Sequence, residues 1–363
     1  MNILHISPDF TESCGVSHHV QMLLEEYQKY YDDRLFFMTN DKTVTLKKIE
    51  KLGISISFIN FERGNRNPIS FLKNIFVLRK FCIKNDINVI HTHHRYPELL
   101  ASFVSKFTNA RTVTTVHSFV GGFRALSFKS DQIIAVSKAV EEFLITKHKI
   151  RKKKIIHMYN FVRAFRPIDI KYLETFKEAY NIINTDKIML FVGRLCYQKG
   201  IDILLEALDR LVKEHANIKL IIVGDIDDVV GGVDADRLME KIETNENIIY
   251  TGPLSDVIDM YYLADFVVQP SRAETFGYVA IEAGLAGRPF IGSGTGGVTE
   301  IIEDRKSGLL CEPGNVFDLE AKIKIYLESP RMAQEHGKKL HERVKHFQNS
   351  EAYVNSLREI YLR

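Results

Sequence analysis

The chain has 363 residues, enough for about two domains that each bury a core. Hydrophobic residues make up 45% and charged residues 26%, which excludes a disordered or fibrous chain, and no apolar run reaches the ~18 residues of a membrane span. The net charge of +3 hides a division, because residues 1–170 carry 26 Lys and Arg against 15 Asp and Glu, net +11, and residues 171–363 come to −8. Such a basic half suits an anionic partner (a phosphorylated acceptor, an anionic membrane surface or a nucleic acid), or is simply a solvated cationic surface.

The chain enters an apolar run at 3–6 at once, without the charged start and cleavage pattern of a secretory leader, so a cytoplasmic protein is expected. Further strands are predicted at 35–38, 54–59, 89–91, 112–116, 132–136 and 155–157 in the first half. In the second half they fall at 188–192, 220–223, 248–250, 266–269, 289–291 and 308–310. The runs are almost wholly apolar, as parallel strands covered on both faces should be. Amphipathic segments lie between them: Val20, Leu23, Leu24 and Tyr27 share a face of 16–30, and Ile201, Leu204, Leu205, Leu208 and Leu211 share one of 200–215. The alternation predicts two doubly wound α/β domains, at 1–165 and 166–340. A helical tail at 341–363 could return to the first of them. Cys14, Cys82, Cys196 and Cys311 are far apart and form no CxxC pair, against a zinc knuckle or a disulfide framework.

Four segments could carry chemistry. The loop TESCGVSHHV places Gly15 before the first helix, where a backbone can approach an anion at the helix N-terminus. In FVGRLCYQKG a buried strand ends at Gly193, and Arg194 and Lys199 follow at its carboxyl end, two cations suited to a diphosphate. PSRAETFGYVAIEAGLAGRP also follows a strand; Glu274 precedes the turn Thr275-Phe276-Gly277, and Glu282 is expected two helical turns on along the same face. GSGTGGVTE contains Gly292-x-Gly294-x-x-Gly297, a formal dinucleotide fingerprint, but the helix it opens is short and no acidic strand end follows, which favours a ligand-shaped loop over nicotinamide binding. His91-Thr92-His93-His94 lacks acidic partners for a metal, and the pairs Asp225/Asp227 and Asp234/Asp236 are no more than chance supplies. His117, at the end of a strand, is the better functional histidine.

Taken in order, these segments resemble the retaining glycosyltransferases of family four. The resemblance spans nearly the whole chain: Cys14-Gly15, His117, VGRL–KG, Val223-Gly224-Asp225, Thr251-Gly252, Pro270-Ser271, Glu274-x-Phe276-Gly277, Glu282-Ala283 and Gly296-Gly297-x-x-Glu300. It implies the GT-B fold, two facing Rossmann-like domains with a cleft between them, the second binding a nucleotide-sugar (UDP-linked) and the first a glycan or lipid-linked acceptor. By the same resemblance Arg194 and Lys199 neutralise the diphosphate, Glu274 contacts the donor sugar, and the Thr275–Gly277 turn holds phosphate through the Phe276 and Gly277 amides. Glu282 takes the ribose hydroxyls, His117 contacts the sugar near the reacting carbon, and Gly15, Gly193 and Gly224 line the donor site. No metal and no cofactor beyond the nucleotide-sugar is implied, and no nucleic acid partner. The basic run KHKIRKKK, Lys147 to Lys154, is the expected contact with an anionic membrane surface, on its inner face. The sequence departs from the family's Gly-Gly at Cys14-Gly15 and from its usual continuation after Gly224-Asp225. A sugar-nucleotide epimerase, a nicotinamide oxidoreductase and a non-catalytic sugar-nucleotide binder are the competing readings.

Overall fold

A computed structural model describes residues 1–8, 15–40, 46–61, 68–121, 126–226 and 234–363. Cys14, Asp227 and most of the IDDVVGGVDAD segment lie outside them. The chain divides into two compact units, 1–161 with 349–363, and 162–348, against expected boundaries at 165 and 340.

The first unit runs β1 (Asn2–Ile6), α1 (Gly15–Tyr30), β2 (Arg34–Thr39), α2 (Leu46–Glu50), β3 (Ser55–Phe58) and α3 (Pro68–Lys84). It continues through β4 (Val89–Thr92), α4 (Arg95–Val104), β5 (Arg111–Val116), β6 (Gln132–Ala135), α5 (Lys138–Thr146) and β7 (Ile155–His157). Its strands form one parallel sheet in the order β3-β2-β1-β4-β5-β6-β7. Ile3, Leu4, Ile6, Ile90, Ile133 and Ile134 are wholly buried, the expected consequence of helices on both faces. Right-handed crossovers put α1 and α2 on one face and α3, α4 and α5 on the other.

The second unit begins with α6 (Ile170–Ala179), β8 (Lys187–Val192), α7 (Ile201–Leu211), β9 (Ile218–Val223), α8 (Ala235–Glu243), β10 (Ile248–Gly252) and α9 (Ile258–Leu263). It ends with β11 (Phe266–Gln269), α10 (Tyr278–Leu285), β12 (Phe290–Ser293), α11 (Val298–Ile301), β13 (Leu309–Cys311), α12 (Val316–Glu328) and α13 (Pro330–Val344). Its sheet is also parallel, ordered β10-β9-β8-β11-β12-β13. The apolar stripe of α7 packs beneath this sheet, with Ile201, Leu204, Leu205, Leu208 and Leu211 all inaccessible to solvent.

All thirteen predicted strands are present, with no end displaced by more than two residues. The tail differs from its expectation as one continuous helix. A 3-10 turn at Lys345–Gln348 ends α13, and α14 (Ser350–Leu362) starts afresh with Asn349 capping the Ala352 amide at 2.9 Å. Helix α14 belongs to the first unit, where it lies on α1: the Tyr361 hydroxyl meets His91 Nδ1 at 2.6 Å, and Ser350 Oγ donates to Glu26 Oε2 at 2.9 Å. Cys82, Cys196 and Cys311 are buried free thiols.

Candidate active site

In an open parallel sheet, ligands gather outside the carboxyl ends of the strands, where neighbouring strands lead away in opposite directions. In the second unit that point lies between β8 and β11, which pair directly (Phe266 with Met189, Val267 with Leu190). The loop after β8 carries Gly193, Arg194 and Lys199; the loop after β11 carries Glu274 to Gly277. The two loops meet. Lys199 Nζ donates to Glu274 Oε2 at 2.6 Å, their side chains 19% and 14% exposed.

Several groups hold that meeting in place. The Arg272 amide donates to the Gln198 carbonyl at 2.8 Å, and Gln198 Nε2 to the Ala273 carbonyl at 3.2 Å. The Arg272 guanidinium stacks 3.6 Å over the Tyr197 ring and forks onto Asp202 with two bonds of 2.7 Å. Gly200 turns the chain from Lys199 into α7 at φ +71°, so close that a Cβ there would lie 2.1 Å from the Pro270 carbonyl oxygen. On the other side Gly297 donates its amide to the Glu274 carbonyl at 3.1 Å, and a Cβ on it would sit 2.4 Å from the Phe276 oxygen. The glycine-rich segment after β12 therefore supports the Glu274 turn. Sequence reading missed Arg272, Asp202 and Gly200 as positioning residues, since nothing local distinguishes them.

The remaining candidates of this unit have separate placements. Glu274 lies in the loop and Glu282 on α10, so the two do not share a helix face. Glu282 is partly buried; its Oε2 accepts the Tyr261 hydroxyl at 2.6 Å, and burial lifts its carboxyl to about 7 despite that bond. Gly277 is the N-cap of α10, with no side chain capping the first turn. The Gly193 and Gly224 amides are used by the sheet, donating to Val223 at 2.9 Å and Gly252 at 3.0 Å. What they offer a ligand is the absence of a side chain. Arg194 lies between Gly193 and Leu195, whose amide bonds the Asp225 carbonyl at 2.8 Å. Beside these residues is buried Gln269, at the end of β11, whose Oε1 has no partner.

In the first unit, Gly15 opens α1 and is exposed. His117 follows β5 and ends a row of imidazoles: His5 Nδ1 lies 3.2 Å from His93 Nε2, and His93 Nδ1 lies 3.2 Å from His117 Nε2. His91 stands alongside, its nitrogens on the Tyr361 and Thr115 hydroxyls at 2.6 and 2.8 Å. His5, His91 and His93 bring ring nitrogens within 4.8 Å of one another, metal-like spacing, yet hydrogen bonding engages five of their six nitrogens. Burial holds the row neutral. It pushes His5 and His19 down to about 3, and His91, His93 and His117 well below their ordinary value, with nearby histidines adding to the effect of burial at all of these but His5. The sixth nitrogen, His5 Nε2, is buried without a partner, which is less costly for a lone pair than for an N–H. His5 then donates from Nδ1 to His93, His93 from Nδ1 to His117, and the proton of His117 resides on Nδ1.

Two family descriptions match the chain in tandem: Glycosyltransferase Family 4 over residues 14–164 and Glycosyl transferases group 1 over residues 174–346. Over 353 residues the chain is 27% identical to the N,N'-diacetylbacillosaminyl-diphospho-undecaprenol alpha-1,3-N-acetylgalactosaminyltransferase of Campylobacter jejuni, covering 89% of this chain and 90% of that one. A stretch of 196 residues is 33% identical to Uncharacterized glycosyltransferase MJ1607 of Methanocaldococcus jannaschii, 52% of this chain and 49% of that protein, so the chain matches about half the length of that relative. Anabaena Alr3699/HepE, solved in complex with UDP-glucose, has a TM-score of 0.83 at 18% identity over 99% of both chains, a likeness of fold.

Proposed function

The chain belongs to the family-four glycosyltransferases and has their GT-B fold of two Rossmann-like domains, and from that premise we propose that it transfers a sugar from a UDP-linked donor to a glycan or lipid-linked acceptor, with retention and without a metal ion. The observation that carries this reading is the convergence of Lys199 and Glu274 at the switch point of the second sheet. A UDP donor accords with the Anabaena protein solved with UDP-glucose, and a lipid-linked acceptor with the substrate named for the Campylobacter relative.

In this reading Arg194 and Lys199 neutralise the diphosphate, with α10 presenting its first N–H groups past the Thr275–Gly277 turn. Glu274 accepts from the donor sugar and Glu282 from the ribose hydroxyls, while Gly15, Gly193 and Gly224 leave room for the donor. His117 is assigned to the donor sugar near the reacting carbon. The bond from the anomeric carbon to the diphosphate breaks with its electron pair going to the departing UDP. The acceptor oxygen then bonds on the same face, and its proton passes to a phosphate oxygen. Cations and a helix terminus supply the charge stabilisation that a metal gives elsewhere. The enzyme works at the inner face of a membrane as a peripheral protein. Of the basic run, Lys147, Lys149, Arg151 and Lys153 are exposed to such a surface, whereas Lys152 pairs with Glu141 and Lys154 donates to the Ser130 carbonyl at 2.9 Å.

A thermal-shift series with UDP-, GDP- and ADP-sugars tests the donor, and NMR of the product formed on a lipid-linked acceptor reads the anomeric outcome. Stabilisation by UDP-sugars and a retained anomer are expected. Consumption of donor without acceptor, or NADH binding, would assign the protein to a competing class.

A further inference from the structure

Helix α3 is buried on one side only. Asn74, Leu78 and Cys82 face the core, and Phe71, Ile75 and Phe81 pack beside them; the Phe71 ring stands 5.5 Å from Phe103 of α4. On the opposite side Ile69, Leu72, Phe76 and Ile83 are 74%, 54%, 68% and 50% exposed. At 100° per residue these four side chains fall within an arc of about 60°, a continuous stripe along a helix about 25 Å long. Lys73, Lys80 and Lys84 occupy the next ~60° of the circumference, and Arg79 borders the other side. The helix holds no Asp or Glu.

An apolar stripe of this size is unusual on a water-soluble surface and marks a contact. The cations decide which contact. A partner protein or a second copy would cover the stripe equally well, but neither requires a flank that is cationic throughout; an anionic lipid surface does. We propose that α3 lies in the plane of an anionic bilayer, with Leu72, Phe76 and Ile83 among the acyl chains and Lys73, Lys80 and Lys84 at the phosphates. Lys84 leads into β4 and the basic run 147–154 into β7, so both approach the amino edge of the same sheet, on the face shared by α3 and α5. The two cationic segments thus serve one surface, with α3 supplying the part that inserts. This inference takes its purpose from the glycosyltransferase reading but none of its geometry.

The test is flotation of the full-length protein with phosphatidylcholine vesicles, with and without phosphatidylglycerol, across a salt series. Wild type is expected to float with the anionic vesicles and to be released partly by salt. The pair Leu72→Ser, Phe76→Ser should weaken binding at least tenfold at every salt concentration. The triple variant Lys73→Gln, Lys80→Gln, Lys84→Gln should weaken it at low salt and flatten the salt dependence. All five side chains are exposed, and an unchanged thermal shift with UDP confirms folding and donor binding in each variant. Three results would overturn the proposal: no flotation of wild type, flotation unaffected by both variants and lost only on replacing Lys147, Lys149, Arg151 and Lys153, or a concentration-dependent dimer that Phe76→Ser dissolves. Loss of UDP binding in wild type while flotation persists would count instead against the enzymatic reading.

Discussion

His93 Nδ1 lies 3.2 Å from His117 Nε2, and the same imidazole reaches His5 through its other nitrogen. A ring tied at both nitrogens has its tautomer chosen for it, and it chooses that of its neighbour. His93→Leu should therefore lower kcat/KM for transfer by about ten- to a hundredfold, the usual cost of losing an orienting partner. The Kd for UDP alone should not move, and His93→Gln, able both to donate and to accept, should recover part of the rate. Equal losses in UDP binding and in transfer would reduce His93 to a packing residue.

The contact of Lys199 with Glu274 gives a second expectation. Lys199→Ala, Glu274→Ala and Arg194→Ala should each cut transfer at least tenfold, while melting temperatures change little because a partly exposed ion pair contributes only ~0–1 kcal/mol. For the first two the effects should not add, since either change breaks the same bond. Near-normal turnover in all three variants would sink the site assignment.

With Glu282 at the ribose as proposed, donor binding should depend on pH. Burial holds its carboxyl up to about 7, and the Tyr261 hydroxyl lowers it from a still higher position. Only the carboxylate accepts from both ribose hydroxyls, so UDP affinity should rise as pH passes upward through about 7. Tyr261→Phe removes the lowering bond and should shift the midpoint upward. Glu282→Gln should abolish the dependence, which calorimetric titration of UDP across pH would reveal.

The buried histidines make the first unit acid-labile. Their folded-state pKa values are depressed, so between the ordinary value of 6.5 and about 3 the unfolded chain binds protons that the native one does not. Their contribution is complete above 6.5 and is lost as pH falls toward 3. At pH 5 His5 and His19 together cost about 4 kcal/mol, at ~1.4 kcal/mol per pH unit for each. Urea midpoints measured at pH 7 and pH 5 should differ accordingly; coincident midpoints would remove the argument.

Close backbone approach predicts a contrast among glycines. Gly297→Ala must displace the Glu274 turn and should lower both stability and transfer, and Gly200→Ala should do the same from the Lys199 side. A Cβ on Gly15 meets nothing within 4 Å, so Gly15→Ala should leave the melting temperature within error of wild type.

Much of this molecule could be read from its linear order. Strands such as 188–192 and 266–269 are legible because a parallel strand covered on both faces must be written as an apolar run, and that constraint is local. The placing of Arg194, Lys199, Glu274 and His117 just after such runs followed directly. Strand order was decided only in three dimensions. It sets β8 beside β11, brings Lys199 within 2.6 Å of a carboxylate 75 positions away, and leaves Arg272, Gly200 and Gly297 to hold them there. The return of the C-terminal helix was open to the sequence as one option, but the Tyr361 hydroxyl it sets on His91 is tertiary. Periodicity records which face of an element is covered, but not by what, because the covering residues lie far along the chain and no local repeat encodes them.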